Sequence, residues 1–167
     1  MPEEQQHEEL SPEQMRLIEV TLDADSLGRN SADVDHEREV AIFDLLERNS
    51  FAIENHAGGP YTLHLSLADN RLVFTVGDDK RAPIVHVMLS LSPIRRLVKD
   101  YFLMCESYYQ AVKTAPPSRI EAIDMGRRGL HDEGSRLLME RLKGKLLIDI
   151  ATARRLFTLI CALHWKG

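Results

Sequence analysis

The sequence predicts an α+β domain: a small antiparallel β-meander of three to five strands, packed on one face by three or four α-helices. Three observations carry this. Apolar and polar residues alternate with period two through 61–68, 71–76 returns with Leu72, Phe74 and Val76 on one face, and 83–91 supplies a third strand. One long stretch, 93–113, gathers its apolar residues onto a single helical arc. From residue 92 onward the chain reads as helix with one short interruption, so most strands precede most helices.

The chain has 167 residues, a length that fits one domain. Hydrophobic residues make up 44% and charged residues 28%, a mixture that excludes wholesale disorder. Residues 1–14 read as a disordered acidic tail, and residues 15–167 as a single α+β domain. Arg16 to Leu22 alternates as a strand. Ser31 or Asp33 caps a helix that runs to about Asn49. The segment from His56 to Pro60 is a loop. Leu63, Leu65 and Leu67 face one way along the next strand, and Asp69-Asn70 turns the chain. Leu72, Phe74 and Val76 return on the same face, and Pro83 to Leu91 supplies the third strand.

Ser92 caps the long helix with Pro93 at its first position, where a missing N–H costs nothing. From Ile94 to Val112 the apolar residues, Tyr101, Cys105, Tyr108 and Tyr109 among them, fall within an arc of roughly 160°. Tyr101 is therefore expected in the core. Ala115-Pro116-Pro117 stops this helix, and Ser118 with Glu121 reads as a capping box for the next. Gly126, Gly129 and Gly134 predict a break in that second helix. Lys145 to Ile148 reads as a short edge strand. Asp149 or Thr152 caps a last helix that is apolar nearly all round from Leu156 to Leu163, the mark of a central buried helix.

Charge is uneven. Residues 1–56 carry 4 Lys/Arg against 15 Asp/Glu, whereas residues 92–167 carry 14 against 8. The ordinary reading is an acidic segment packed on a basic one; the sharper reading is a basic binding face. Cys105 and Cys161 lie in apolar helical stretches and read as unbridged, slow-reacting thiols. No apolar run approaches the ~20 residues that span a bilayer. The acidic, polar start is unlike a signal or transit peptide, so the cytoplasm of a bacterium is the expected compartment. There is no glycine-rich phosphate loop, dinucleotide fingerprint or zinc-type Cys/His spacing, so neither cofactor nor metal is expected.

Five segments taken in order, HEREVAIFDLLE, GGPYTLHLSL, SPIRRLVKDYFLMCESYYQAV, SRIEAIDMGRRGLHDEGS and TARRLFTLICALHW, resemble a bacterial uncharacterised protein family, number 0262 among such families. The resemblance covers roughly residues 14–167. It implies no activity and no catalytic residues.

Candidate chemistry centres on Asp124, Arg127, Arg128, His131 and Ser135, whose spacing puts them on one face of a continuous helix. Asp124 would orient His131 while the arginines hold an anion. The plainer reading is a solvated face with an Asp124–Arg128 pair. Two helices begin alike, with Arg95-Arg96 and Arg154-Arg155 near their positive ends, so an internal carboxylate or an external anion should offset each pair. The internal candidates are Asp100, Asp149 and the acidic segment before residue 57. Arg38 falls on an apolar stripe near a helix end and is expected to snorkel. The seven histidines lack ligand spacing; His64 and His86 would meet across the meander as a surface pair, and His164 is expected to be a satisfied, partly buried residue. Tyr101, Tyr108 and Tyr109 offer base-stacking surfaces, but their phase puts them in the core first.

The functional expectation is a binding or regulatory protein, not an enzyme, with an anion-binding surface built from Arg95, Arg96, Arg127, Arg128, Arg154 and Arg155. Its partner would be a nucleic acid, a phosphorylated ligand or an acidic protein, with no membrane involved. The alternative is a phosphate-directed enzyme with Asp124 and His131 as its catalytic residues. A homo-oligomer sharing the broad apolar stripe of helix 93–113 is a further reading.

Overall fold

The computed structural model describes residues 10–28 and 31–163. His7, His164 and the first nine residues of the expected tail lie outside them. Pro12–Met15 forms a 3-10 helix with Ser11 and Gln14 as a capping box. Leu10 packs against the core, and the Gly59 amide donates to Gln14 O at 2.7 Å. Residues 10–14 of the expected tail are thus folded onto the domain.

Strand β1 (Leu17–Leu22) leads through a short helix α1 (Ala24–Leu27) into α2 (Ala32–Glu47), capped by the Ser31 hydroxyl. Strand β2 (Phe51–Ile53) follows, then the hairpin strands β3 (Tyr61–Ala68), β4 (Arg71–Gly77) and β5 (Pro83–Ser90). Helices α3 (Leu91–Thr114) and α4 (Pro117–Leu142) form a long antiparallel pair. Strand β6 (Leu146–Ile148) and helix α5 (Ile150–Ala162) close the fold.

The expected meander is present: β3, β4 and β5 pair in sequence and antiparallel. β1 adds to β3 in parallel, so the four-stranded sheet is mixed and mostly antiparallel. A parallel neighbour needs a long crossover, and α2 supplies it. β2 and β6 make a separate antiparallel pair. Leu63, Leu65, Leu72, Phe74, Val76, Val87 and Leu89 bury one face of the large sheet. The other face carries Thr21, His64, Thr75 and His86 in one cross-strand row and faces solvent. His64 and His86 do not pair with each other. Thr75 stands between them; Thr21 Oγ1 lies 2.7 Å from His64 Nδ1, and Thr75 Oγ1 3.0 Å from His86 Nδ1.

α5 is the central helix, with Leu156, Phe157, Leu159 and Ile160 almost wholly buried. Asp149 caps it, accepting from the Thr152 amide, and the buried Thr152 hydroxyl accepts from Ser50 N. No helix among the described residues is long and apolar enough to cross a membrane.

Four expectations need correction. α3 starts at Leu91, two residues early, with no side-chain cap; Ser92 Oγ instead accepts from Asn70 Nδ2. α4 starts at Pro117 rather than at a Ser118 capping box, because proline suits the first helical position. α4 is also unbroken through all three glycines. At Gly134 the reason is close approach: a Cβ there would collide with the Phe157 ring. Arg38 does not snorkel. It is buried, and its guanidinium donates to the carbonyls of Ala162 (3.1 Å), Leu163, Gly28 (3.4 Å) and Leu27 (3.4 Å). A cation at the negative end of α5 is electrostatically favoured, and backbone carbonyls satisfy it without a journey to solvent.

Candidate functional site

α4 presents Arg127, Arg128 and His131 toward α3 and α5, and Asp124, one turn earlier, pairs with both arginines. Continuity through Gly126 and Gly129 makes this possible, since a break would scatter the four residues. A cleft of about 610 Å³ runs between the three helices, lined by Tyr101, Arg127, Arg128, Gly129, His131, Asp132, Arg136 and Arg154. That volume is in the range of small-ligand sites.

Within the cleft, charges are paired locally. Arg127 donates to Asp124 Oδ1, and Arg128 meets Asp124 Oδ2 at 3.0 Å. The hydrogen bond from Arg127 and the field of Arg128 hold the Asp124 carboxyl below the usual carboxylate range. Arg127 also stacks over Tyr108, 4.9 Å from its ring centroid. Asp132 takes Arg136 at 3.0 Å along α4 and Arg154 at 3.3 Å from α5. The side chains of Arg128 and Arg136 remain more than 70% exposed.

Asp124 does not orient His131; its two oxygens are taken by the arginines. His131 sits edge-on to Phe157 and Tyr101, with Nε2 2.9 Å from Thr158 Oγ1. The Thr158 hydroxyl donates to Arg154 O, so the proton in the His131–Thr158 bond belongs to Nε2. Nδ1 then carries the lone pair. Burial, and next the positive fields of Arg154 and Arg127, push the His131 pKa below 6.5. Both effects favour the neutral imidazole. Ser135 is buried and donates to His131 O, so it supports the helix rather than the cleft. Burial raises the Tyr101 hydroxyl to about 12, which keeps it a neutral donor.

The remaining predicted arginines are elsewhere. Arg155 shares a groove with Asp44 and Glu47 of α2, where the acidic segment meets the basic one. Arg95 and Arg96 do not line the cleft. The starts of α3 and α5 place both arginine pairs at the fifth and sixth helical positions, beyond the first turn where the dipole acts. The supposed mismatch is therefore largely removed. Asp132, Arg136 and Tyr101 escaped sequence reasoning as cleft residues; the Asp132–Arg136 spacing of four was the available signal. A second groove, about 670 Å³ at the far end of the helix pair, is lined by Leu103, Gln110, Ala111, Arg119 and Ile123 among others and gathers none of the predicted residues. Among the described residues, no three His, Cys, Asp or Glu side chains come together as a metal site.

The chain is 63% identical over 159 residues to a UPF0262 protein of Azorhizobium caulinodans, covering 94% of this chain and 98% of the relative. A UPF0262 protein of Nitrobacter winogradskyi is 60% identical over 152 residues, 91% of either chain. One of Rhodopseudomonas palustris is 59% identical over 152 residues, covering 91% of this chain and 93% of the relative. No solved structure matches. The profile of the uncharacterised protein family UPF0262 matches residues 14–166, and the chain belongs to that family.

Proposed function

We propose that this is a cytoplasmic binding or regulatory protein that takes a phosphorylated ligand in the cleft between α3, α4 and α5. The carrying observation is charge: Arg127, Arg128, Arg136 and Arg154 meet there, and among the described residues their ion pairs are with Asp124 and Asp132. Two positive charges are left over, matching a dianion. Guanidinium groups suit phosphate because their forked donors bind two oxygens at once. Arg128 and Arg136 are exposed enough to exchange a carboxylate oxygen for a phosphate oxygen without burying a charge.

Titration calorimetry with pyrophosphate tests this. Binding is expected at low salt and should weaken as salt rises. The double variant Arg128→Glu, Arg136→Glu should abolish it, while Arg119→Glu at the far groove should leave it unchanged. No heat of binding at any salt concentration sinks the proposal.

A second reading, a phosphate-directed enzyme, rests on His131. Its neutral ring beside Arg127 and Arg154 leaves a basic Nδ1 near the proposed anion site. It predicts slow hydrolysis of an aryl phosphate, lost in His131→Ala. Binding without turnover leaves the first reading alone.

A further inference from the structure

The cleft repeats one device twice along α4. At Asp124 a single carboxylate is shared by two guanidinium groups, those of Arg127 and Arg128. At Asp132 a carboxylate is shared again, by Arg136 along the helix and by Arg154 from α5. The repeat extends to atoms: Arg128 Nε meets Asp124 Oδ2 and Arg136 Nε meets Asp132 Oδ2, each at 3.0 Å and each from four residues further on. Two guanidiniums against one carboxylate give each cluster one surplus positive charge. The two carboxylates stand eight residues apart, so the helical rise separates the clusters by about 12 Å along α4.

The stretch between the clusters has a different character. Gly129 lines it, and a Cβ at that position would meet nothing within 4 Å, so the middle of the cleft is open. His131 stands beside it, Nε2 engaged with Thr158 and the Nδ1 lone pair left as an acceptor. The fields of both Arg127 and Arg154 reach this ring, one from each cluster, as a place between them requires. Among the described residues, no Ala, Val, Leu, Ile or Met lines the cleft. A molecule crossing this waist meets an acceptor nitrogen and water rather than apolar surface, which suits hydroxyl groups and gives a hydrocarbon little to bury.

We propose that the ligand of this cleft is a sugar bisphosphate, with one phosphate at the Asp124 cluster, the other at the Asp132 cluster, and the hydroxylated carbons crossing Gly129 and His131. The proposal rests on the phosphate-binding reading above and adds to it two seats, a span and a linker. Arg128 and Arg136 hold their carboxylates through Nε, and the Nη groups of each supply the fork that a phosphate takes. Pyrophosphate is too short to reach from one cluster to the other and occupies a single seat. A second phosphate on a longer molecule, once the first is held, binds as an intramolecular step.

Titration calorimetry of the full chain at low salt provides the test. Fructose 1,6-bisphosphate should bind about a hundredfold tighter than fructose 6-phosphate, because its second phosphate is already tethered at the other seat. Arg128→Gln and Arg136→Gln should each bring the bisphosphate down to the affinity of the monophosphate. Either variant alone should leave the monophosphate within about threefold, since one seat remains. Gly129→Leu should weaken the bisphosphate about tenfold or more and leave pyrophosphate unchanged. Its side chain enters open space, so circular dichroism should remain that of the wild type. Hexane-1,6-diol bisphosphate, of similar span without hydroxyls, should bind more weakly than the sugar. Pyrophosphate binding with no gain from the second sugar phosphate overturns the two-seat proposal and leaves the phosphate cleft standing; no pyrophosphate binding overturns both. A Gly129→Leu variant that weakens pyrophosphate and bisphosphate alike overturns the path across Gly129, and a hydrocarbon as tight as the sugar overturns the hydroxylated linker.

Discussion

The two halves of the α3–α4 pair share an apolar pattern but not an environment. Near the sheet, Ile94 and Val98 of α3 and Leu138 and Leu142 of α4 are buried, and Phe157 fits against Gly134. At the far half, Leu103, Tyr109, Val112 and Met125 are all more than half exposed. Periodicity identified the helix to within two residues at its start. It could not say how much of the stripe finds a partner, because the partner is a second helix with a weaker apolar face and a loop beyond it.

This contrast can be broken by mutation. The largest effect is expected from Phe157→Ala, about 3–5 kcal/mol, for losing a buried ring that α3 and α4 both touch. Tyr109→Ala in the exposed half should stay within about 0.5 kcal/mol. Chemical denaturation measures both, and comparable losses would mean the far half is covered in solution. Tyr101 lies between the extremes. It is half-buried rather than core, so Tyr101→Ala should cost about 2 kcal/mol instead of the 3–5 of a fully buried aromatic.

Two glycines sharpen the same comparison. Gly134→Ala should destabilise by about 1–3 kcal/mol, since its new methyl meets Phe157. Gly129→Ala meets nothing within 4 Å and should stabilise α4 by about 0.5–1 kcal/mol through backbone entropy. Equal effects would remove close packing as the reason for Gly134.

The smallest effect concerns pH. His131 has a folded pKa below its unfolded value of 6.5, so the unfolded chain takes up a proton first as pH falls. Its contribution is present above pH 6.5 and is lost as pH falls through the folded pKa. Thermal unfolding of His131→Gln should therefore show a flatter pH dependence than wild type below pH 6.5. An unchanged slope would assign the acid sensitivity elsewhere.

Much of this architecture was legible in local pattern. The meander followed from period two, α3 from its arc, and α5 from being apolar on every side. β1 was recognised as a strand but not as a parallel one, because pairing direction depends on a crossover that local alternation does not encode. β2 is three residues long, too short for a period, and is made by pairing with β6. At the cleft, one face of α4 was readable from spacing. The contributions of Tyr101 and Arg154 were not, because they depend on how α3 and α5 cross that face. Tyr109 was expected in the core for its phase and is 70% exposed, since phase gives direction and not depth.

Arg38 joins positions far apart in synthesis. Its bonds to Ala162 and Leu163 span 124 and 125 residues. On the ribosome, α2 emerges early and its guanidinium waits for acceptors made more than a hundred peptide bonds later. A chain released before residue 162 retains α2 and the sheet strands, yet leaves that cation without half of its carbonyls. α5 also packs on α2, so a chain lacking it loses both the cover and half of the carbonyl partners of Arg38. Packing of α5 therefore ties the early helix to the late one through a single side chain.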